Sequence, residues 1–445
     1  MDTSQPHPSV AFGELPDKIE QTYYKVTIRL MPFLILCYFV AQIDRANISF
    51  AKLQFMSDLG FSEVAYGFGA GLFFIGYSLF EVPSNIMMQR VGVRRTLLRI
   101  MVLWGLVSIG MMFVTSPIQF YVMRFLLGVA EAGFFPGVLL YLTYWFPAAR
   151  RGRATGFLMM GAAVAGIIIG PISAWIMSHL AGLHGLHGWQ WLFLLEGLPA
   201  VILGIIAFFF LSDQPRDAKW LTEHEKAIIL SDLAAEEKGI SPGRRHALLD
   251  ALKNVKVYIG ILVYFCIILS FNAVSLWIPT VIHDLGVKDL FNVGLLSSVV
   301  FLAGAAGTYL IGSSSDRRME RRWHLTVSCA FTALSFALLP LAARSIPVAI
   351  ALLSIASAAI YGAFSVFWTI PATFLPGNTK AGGIALITSL GGLAAFVSPT
   401  LIGWMTAKTG SVYLGLTISG GLTLVGALVL LIAIPVNASC NEAAR

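Results

Sequence analysis

Runs of about twenty apolar residues recur from one end of this chain to the other, each long enough to cross the ~30 Å hydrocarbon core of a bilayer as an α-helix. Few features narrow the choice of fold more. In lipid each backbone N–H and C=O must find its partner inside the protein, so such a chain folds as a bundle of spanning helices. Reading apolar runs against polar breaks gives twelve spans, at 30–51, 64–86, 97–115, 119–145, 154–177, 190–211, 257–282, 291–312, 324–343, 348–370, 381–405 and 412–435. The expected fold class is therefore an all-α membrane protein with twelve transmembrane helices. Of the 445 residues only 12% are charged, about half the share of a soluble domain. Between the sixth and seventh runs, WLTEHEKAIILSDLAAEEK reads as an amphipathic surface helix opened by a capping box of Thr222 and Glu225, and the SPGRR that follows reads as a turn.

The net charge of +7 is a topology signal rather than a nucleic-acid footprint. Arg90, Arg94 and Arg95 share one short connection, Arg150, Arg151 and Arg153 another, and Arg317, Arg318, Arg321 and Arg322 a third, with Lys380 in a fourth. The alternate connections hold only Lys52, Lys288, Arg344 and Lys408. Cationic connections stay in the cytoplasm, so both termini and the long central loop are expected there, in a bacterial inner membrane. The expected organisation is a cytoplasmic segment 1–29, a six-helix bundle 30–211, a cytoplasmic loop 212–256, a second bundle 257–435 and a tail 436–445. No cleavable signal is read in the mixed-charge residues 1–29. Cys37, Cys266, Cys329 and Cys440 are scattered, without metal or redox spacing. His179, His184 and His187 sit in a glycine-containing periplasmic-side connection with no carboxylate or cysteine expected beside them, which reads as a mobile polar loop. No metal or cofactor is expected.

The two halves are related. Arg90 falls on Arg317, Pro171 on Pro399 and Pro147 on Pro376, at offsets of 227, 228 and 229 residues. Landmarks at nearly one spacing point to two parallel six-helix repeats enclosing a site near the midplane.

Their ionisable content is unequal. Asp44, Arg45, Glu81, Arg124 and Glu131 lie inside apolar spans of the first half, with Glu196 at the edge of a sixth, whereas the spans of the second half are almost free of charge. A charge at membrane depth faces a partner or a water-filled pathway. Arg124 and Glu131 are seven apart, hence on one helix face about 10 Å apart. Asp44 and Arg45 are adjacent, about 100° apart, and so face different neighbours. Arginine suits a carboxylate ligand because its planar fork makes two parallel charge-assisted hydrogen bonds and never loses its proton. A static ion pair between helices is the competing reading for each. Glu81, beside Pro83, is expected to pair with loop arginines or to gate. Tyr77 is a candidate cavity hydroxyl. In the second half Asn272, at the repeat position of Asp44, joins Trp277, Tyr361, Trp368, Thr388 and Ser389 as possible neutral donors and stacking surface. Packing is the alternative for these.

The connection GSSSDRRMERR, with Gly312, Asp316, Arg317 and Arg321, resembles the loop motif G-x-x-x-D-R-x-G-R-R of the major facilitator superfamily. The first-half copy has Asn85 for the glycine and Gln89 for the aspartate but keeps Arg90, Gly92, Arg94 and Arg95. QIDRANISFA, YSLFEVPSN and RFLLGVAEAGFFPG resemble, more narrowly, the anion:cation symporter family, whose members carry hexonates, tartrate, phthalate and other organic anions. The resemblance implies the major facilitator fold. It also implies proton coupling at Asp44 and Glu131, anion binding at Arg45 and Arg124, and conformational roles for Arg90, Gly92, Arg94, Asp316, Arg317 and Arg321. The chain departs from the family's asparagine-rich eleventh span, reading ITSLGGLAAF there, and its fifth span, MMGAAVAGIIIGP, has few polar groups. Both disfavour a polyhydroxylated acid and favour a smaller, tartrate-like, or an aromatic, phthalate-like, carboxylate.

The function expected is secondary active transport by alternating access: proton-coupled symport of a small organic carboxylate. The expected partners are the anion, protons and lipid, with no nucleic acid and a monomeric state. A proton-coupled antiporter or exporter of the same fold is the alternative, raised by the Gly170-Pro171 pair. A membrane enzyme or sensor is disfavoured, since the spans show no nucleophile–base pair and the chain no signalling domain.

Overall fold

The computed structural model describes residues 16–237, 251–371, 375 and 380–433. Their regular structure is entirely helical. The first six spans are Pro16–Leu59, Glu63–Val91, Val93–Gly110, a fourth in two pieces (Pro117–Glu131 and Phe134–Trp145), Ala148–His179 and Gly188–Phe210. A surface helix, Glu223–Glu237, precedes Val255–Asp284, Leu290–Arg318, Arg322–Leu338, Ile346–Phe367, an eleventh span in two pieces (Lys380–Gly392 and Ala394–Thr409) and Tyr413–Ala433. Eleven spans among the described residues are long and apolar enough to cross a membrane. The ninth, Arg322–Leu338, has 17 residues, the lower limit for crossing. The SPGRR turn, Cys440 and the tail 436–445 lie outside the described residues.

The span ends follow local capping chemistry. Ser116 accepts from the Gln119 amide just before Pro117, and Asp289 accepts from the Asn292 amide, each satisfying one of the amides a helix start leaves bare. The first span has 44 residues, about 66 Å at 1.5 Å per residue, so it extends well beyond any bilayer. Its length corrects one expectation: Lys52 is not in a connection but inside this helix, 4% exposed and ion-paired with Glu63 at 2.8 Å.

Helix packing orders the bundle. In the first half span three packs on six, two on four and one on five; in the second, eight and nine pack on ten, and seven and nine on twelve. The halves meet where span two packs on eleven, five on eight and one on seven. Glycines bring these backbones together. A Cβ on Gly67 would lie 2.3 Å from the Pro399 carbonyl oxygen, and one on Gly403 2.4 Å from that of Glu63. Gly170 and Gly294 stand in the same relation to each other, at 2.4 Å both ways. All four lie toward the ends joined by connections one–two, five–six, seven–eight and eleven–twelve, so the halves are sealed on the face opposite the arginine-rich connections. At the arginine face Gly152 and Gly156 of span five would meet no atom within 4 Å.

The surface helix belongs to the first half. The capping box forms, with the Thr222 amide donating to Glu225 at 2.8 Å and the Glu225 amide to the Thr222 hydroxyl at 3.3 Å. Lys25 pairs with Glu225 at 2.9 Å, the Tyr23 hydroxyl donates to Asp232 at 2.8 Å, and Arg151 pairs with Glu236 at 3.1 Å. The Ala148 amide and the Arg151 guanidinium hold the Glu236 carboxyl below its usual range. On the opposite face the three histidines diverge, and one expectation is corrected: a carboxylate does stand beside His187, Asp58 at 2.9 Å, brought there by the end of span one, while His184 lies beside Trp191 and His179 stacks on Trp175.

Candidate functional site

The first-half charges converge. Asp44 and Arg45, on successive positions of span one, point apart as the helical step requires. Asp44 is fully buried; its Oδ1 accepts from the Ser108 hydroxyl of span three and, at 3.2 Å, from the Asn47 amide one turn on. Arg45 crosses to span four, where its Nε donates to Glu131 Oε1 at 2.5 Å. The Arg45 side chain is 30% exposed while Glu131 is fully buried, so Arg45 forms the more open edge of the pair. Its guanidinium also lies 5.0 Å from the centre of the Tyr77 ring.

Glu131 sits where span four breaks. Ala132 leaves the helix and Gly133 takes the left-handed conformation, φ +86° and ψ 0°, which a residue with a Cβ adopts at a cost; a Cβ here would also lie 2.7 Å from Ser84. Irregular backbone at membrane depth is tolerated where protein buries it or a cavity is lined. One face of the piece Pro117–Glu131 carries both Arg124 and Glu131 into the same core. Arg124 is 1% exposed, its guanidinium 5.0 Å from the Phe73 ring centre, with Tyr66, Asp44 and Glu131 as the ionisable groups around it. Its Nε and Nη1 have no protein hydrogen-bond partner. Neither has the second oxygen of Asp44 or of Glu131.

Glu81 is half-buried, and the charge that acts on its carboxyl is Arg45 rather than a loop arginine. Glu196 is buried inside span six and accepts from the Ser173 hydroxyl at 2.7 Å.

In the second half the candidate residues gather as aromatic surface. Tyr361 lies 4.5 Å from Phe271, and Trp368 4.9 Å from Tyr264, ring centre to ring centre. Two of the donors expected here bond to their own helices: the buried Asn272 amide donates to the Ile268 carbonyl at 3.1 Å and the exposed Thr388 hydroxyl to that of Ile384 at 2.8 Å. Ser389, beside Thr388, is exposed. Trp277 is fully buried at the seam between halves, its ring centre 4.0 Å from Lys52 Nζ and 5.5 Å from the Tyr66 ring.

The two loop motifs fold differently. In the first half Gly92 takes φ +95°, and Asp213, from beyond span six, accepts from the Arg94 amide at 2.9 Å; the Arg94 Nε donates to the Phe208 carbonyl at 2.7 Å. In the second, Arg321 pairs with Asp316, and Met319 adopts φ +50°. Arg90 and Arg317 are exposed.

Tyr66, Phe73, Asn47, Ser108 and Ser173 join the site without having been singled out from the sequence. Hydroxyls and aromatics are common in apolar spans, and only the packing of spans one, two, three, five and six brings these to the charges.

The paired twelve-span architecture, with its charges gathered in one half, has its match in a known sequence profile, that of the Major Facilitator Superfamily, over residues 34–399. The chain belongs to this superfamily. A Pseudomonas putida protein that carries the name metabolite transport protein NicT is 48% identical over 413 residues, covering 93% of this chain and 94% of its own. An Agrobacterium vitis protein named as a tartrate transporter is 42% identical over 408 residues, covering 92% and 90%. One from Acinetobacter baumannii named a quinolone resistance transporter is 40% identical over 391 residues, covering 88% and 90%. The chain is thus a multi-pass transporter of this superfamily, similar to carriers named for metabolites and tartrate.

Proposed function

We propose that this transporter takes up a small organic carboxylate, tartrate-like or aromatic, together with protons by alternating access. The observation that carries the reading is Arg124, a buried guanidinium whose Nε and Nη1 find no protein acceptor. Buried charged donors are satisfied in working proteins, and a carboxylate fits that planar fork. Arg45 offers the second anchor, but only in competition with Glu131, which holds it at 2.5 Å. A proton on Glu131 weakens that pair and frees Arg45 for the anion, so proton and substrate binding favour each other, reciprocally.

Asp44 and Glu131 are the proton carriers in this reading. Arg45, Arg124 and Tyr77 hold the anion. Asn272, Trp277, Tyr361, Trp368, Thr388 and Ser389 shape the pocket from the half 257–435 against the half 30–211. The arginine connections, with Arg90, Gly92, Arg94, Asp316, Arg317 and Arg321, face the cytoplasm of a bacterial inner membrane and govern reorientation, in a monomeric carrier. Energetics favour coupling: at about −100 mV an entering anion is opposed by about 2.3 kcal/mol per charge. Two protons make entry of a dianion electroneutral.

The test is uptake of labelled tartrate, phthalate, a hydroxyphenylacetate and a hexonate into proteoliposomes, with and without an inward proton gradient. Gradient-stimulated uptake of one acid supports the proposal. A second reading, proton-coupled export, draws on the likeness to a protein named for quinolone resistance. Gradient-driven exchange of a quinolone, with no acid taken up, would replace the first reading by the second.

A further inference from the structure

Glu196 lies outside the cluster of Arg45, Arg124 and Glu131, yet it is buried to 4% exposure in span six and has no ion-pair partner among the described residues. Its surroundings can be enumerated. Span five presents the Ser173 hydroxyl, which donates to Oε1 at 2.7 Å. Span one presents Asp44, the charged group that acts on it, and the Asn47 amide beside its carboxyl. Span three, packed along span six, presents Ser108, whose hydroxyl is given to Asp44. Arg45 is turned away onto Glu131.

Two buried carboxyls therefore share one polar pocket beside Asn47, in which the hydrogen bonds come from neutral donors, while Arg124 and Glu131 of span four act on Asp44 from the other side. Three acceptor atoms in it lack a donor: Asp44 Oδ2, Glu196 Oε2 and Asn47 Oδ1. A carboxylate only accepts, whereas a carboxylic acid brings one O–H that donates. Two adjacent buried carboxylates without a cation in contact are strongly disfavoured, and one proton shared between them removes the repulsion. That same proton turns one of the three oxygens into a donor that can be given to another.

We infer that Glu196 is a proton-binding residue of this carrier, holding one proton jointly with Asp44 beside the Asn47 side chain. The pair keeps a summed charge of minus one wherever the proton rests. When it passes from an Asp44 oxygen to a Glu196 oxygen, one O–H bond breaks, one forms, and Asp44 is left ionised. Loading of this one shared proton from the arginine side is the step that keeps two negative charges from being buried together, and it is the step that sets the uptake midpoint. This rests on the proton-coupled reading above for its role in transport, but the occupancy of Glu196 by a proton does not.

The experiment compares wild type with Glu196→Gln and Ser173→Ala in proteoliposomes, by infrared spectroscopy and by the pH profile of gradient-driven uptake. Wild type is expected to show a protonated-carboxyl C=O band, shifted in D₂O, that Glu196→Gln loses or displaces. In Glu196→Gln Asp44 no longer faces a like charge, so the uptake midpoint moves to lower pH, by about one unit. In Ser173→Ala the Glu196 anion loses its donor and the midpoint moves to higher pH. A merely structural glutamate would change rates without these opposed shifts. An infrared spectrum identical in wild type and Glu196→Gln overturns the inference. So do midpoints that stay put, or that move the same way, in both variants. If Glu196→Gln does not fold, the upward shift in Ser173→Ala still decides. If wild-type uptake ignores the proton gradient, the transport proposal fails while the infrared band still reports on Glu196.

Discussion

The two halves of this transporter share a helical plan but not a chemistry. In the first, Asp44, Arg45, Arg124, Glu131 and Glu196 are gathered by spans one, four and six and tied by hydroxyls and amides. In the second, Tyr264, Phe271, Tyr361, Phe364 and Trp368 pack on one another, and the hydrogen-bonding side chains around them are neutral, some bonded to their own helices and others, such as Ser270 with Thr423 and Ser398 with Leu269, across helices. A charge at membrane depth is costly unless partnered. Placing all of them on one side lets them partner one another and leaves the other wall free to vary in shape. Under the proposed function, coupling belongs to one half and selectivity to the other.

That division can be broken by experiment. The largest effect is expected from Arg124→Gln, which removes the buried fork: substrate affinity should fall on the order of a hundredfold or more, read by equilibrium binding, and near-normal affinity would remove Arg124 from the site. Next comes Glu131→Gln, expected to abolish gradient-driven accumulation while counterflow exchange continues; unaltered accumulation would take Glu131 out of the coupling. Gly67→Ala places a methyl 2.3 Å from a carbonyl oxygen at the seam, so the sealed face should open. Uptake should then slow by about tenfold through a shifted equilibrium, with thiol labelling of cysteines introduced near Gln54 rising in parallel. Tyr361→Phe and Trp368→Phe are expected to change the preference among acids by a few-fold and leave the proton-to-substrate ratio intact. A changed ratio would show that the second half takes part in coupling. The smallest effect is reserved for Glu236→Gln at the surface helix, about 0.5 kcal/mol or less in thermal unfolding.

Much of this contrast was legible in the sequence because charges in apolar runs are rare enough to stand out. Asp44, Arg45, Arg124 and Glu131 announce themselves, and the seven-residue spacing of the last two already put them on one face. What the sequence hid is what depends on neighbours. Nothing in RFLLGVAEAGFFPG marks the break at Ala132–Gly133, since small residues are equally at home in an unbroken span. Lys52 looked like a loop cation because a lone lysine ends an apolar run; its burial depends on Glu63, Tyr66 and Trp277 arriving from two other spans. The loop acid of the first-half motif, absent at Gln89, is supplied in space by Asp213, more than a hundred residues on. Helix type and depth are set by local hydropathy, whereas partners are set by packing.

The seam residue Trp277 gives the transporter an optical signal of its own. It is fully buried between Lys52 of one half and the core of the other, so parting the halves on that face must wet the indole and redden its emission. The chain carries 10 tryptophans, and the difference in emission between wild type and Trp277→Phe isolates this one. The turnover of the unmodified carrier can then be followed as a change of colour, without a label, as substrate and protons are added.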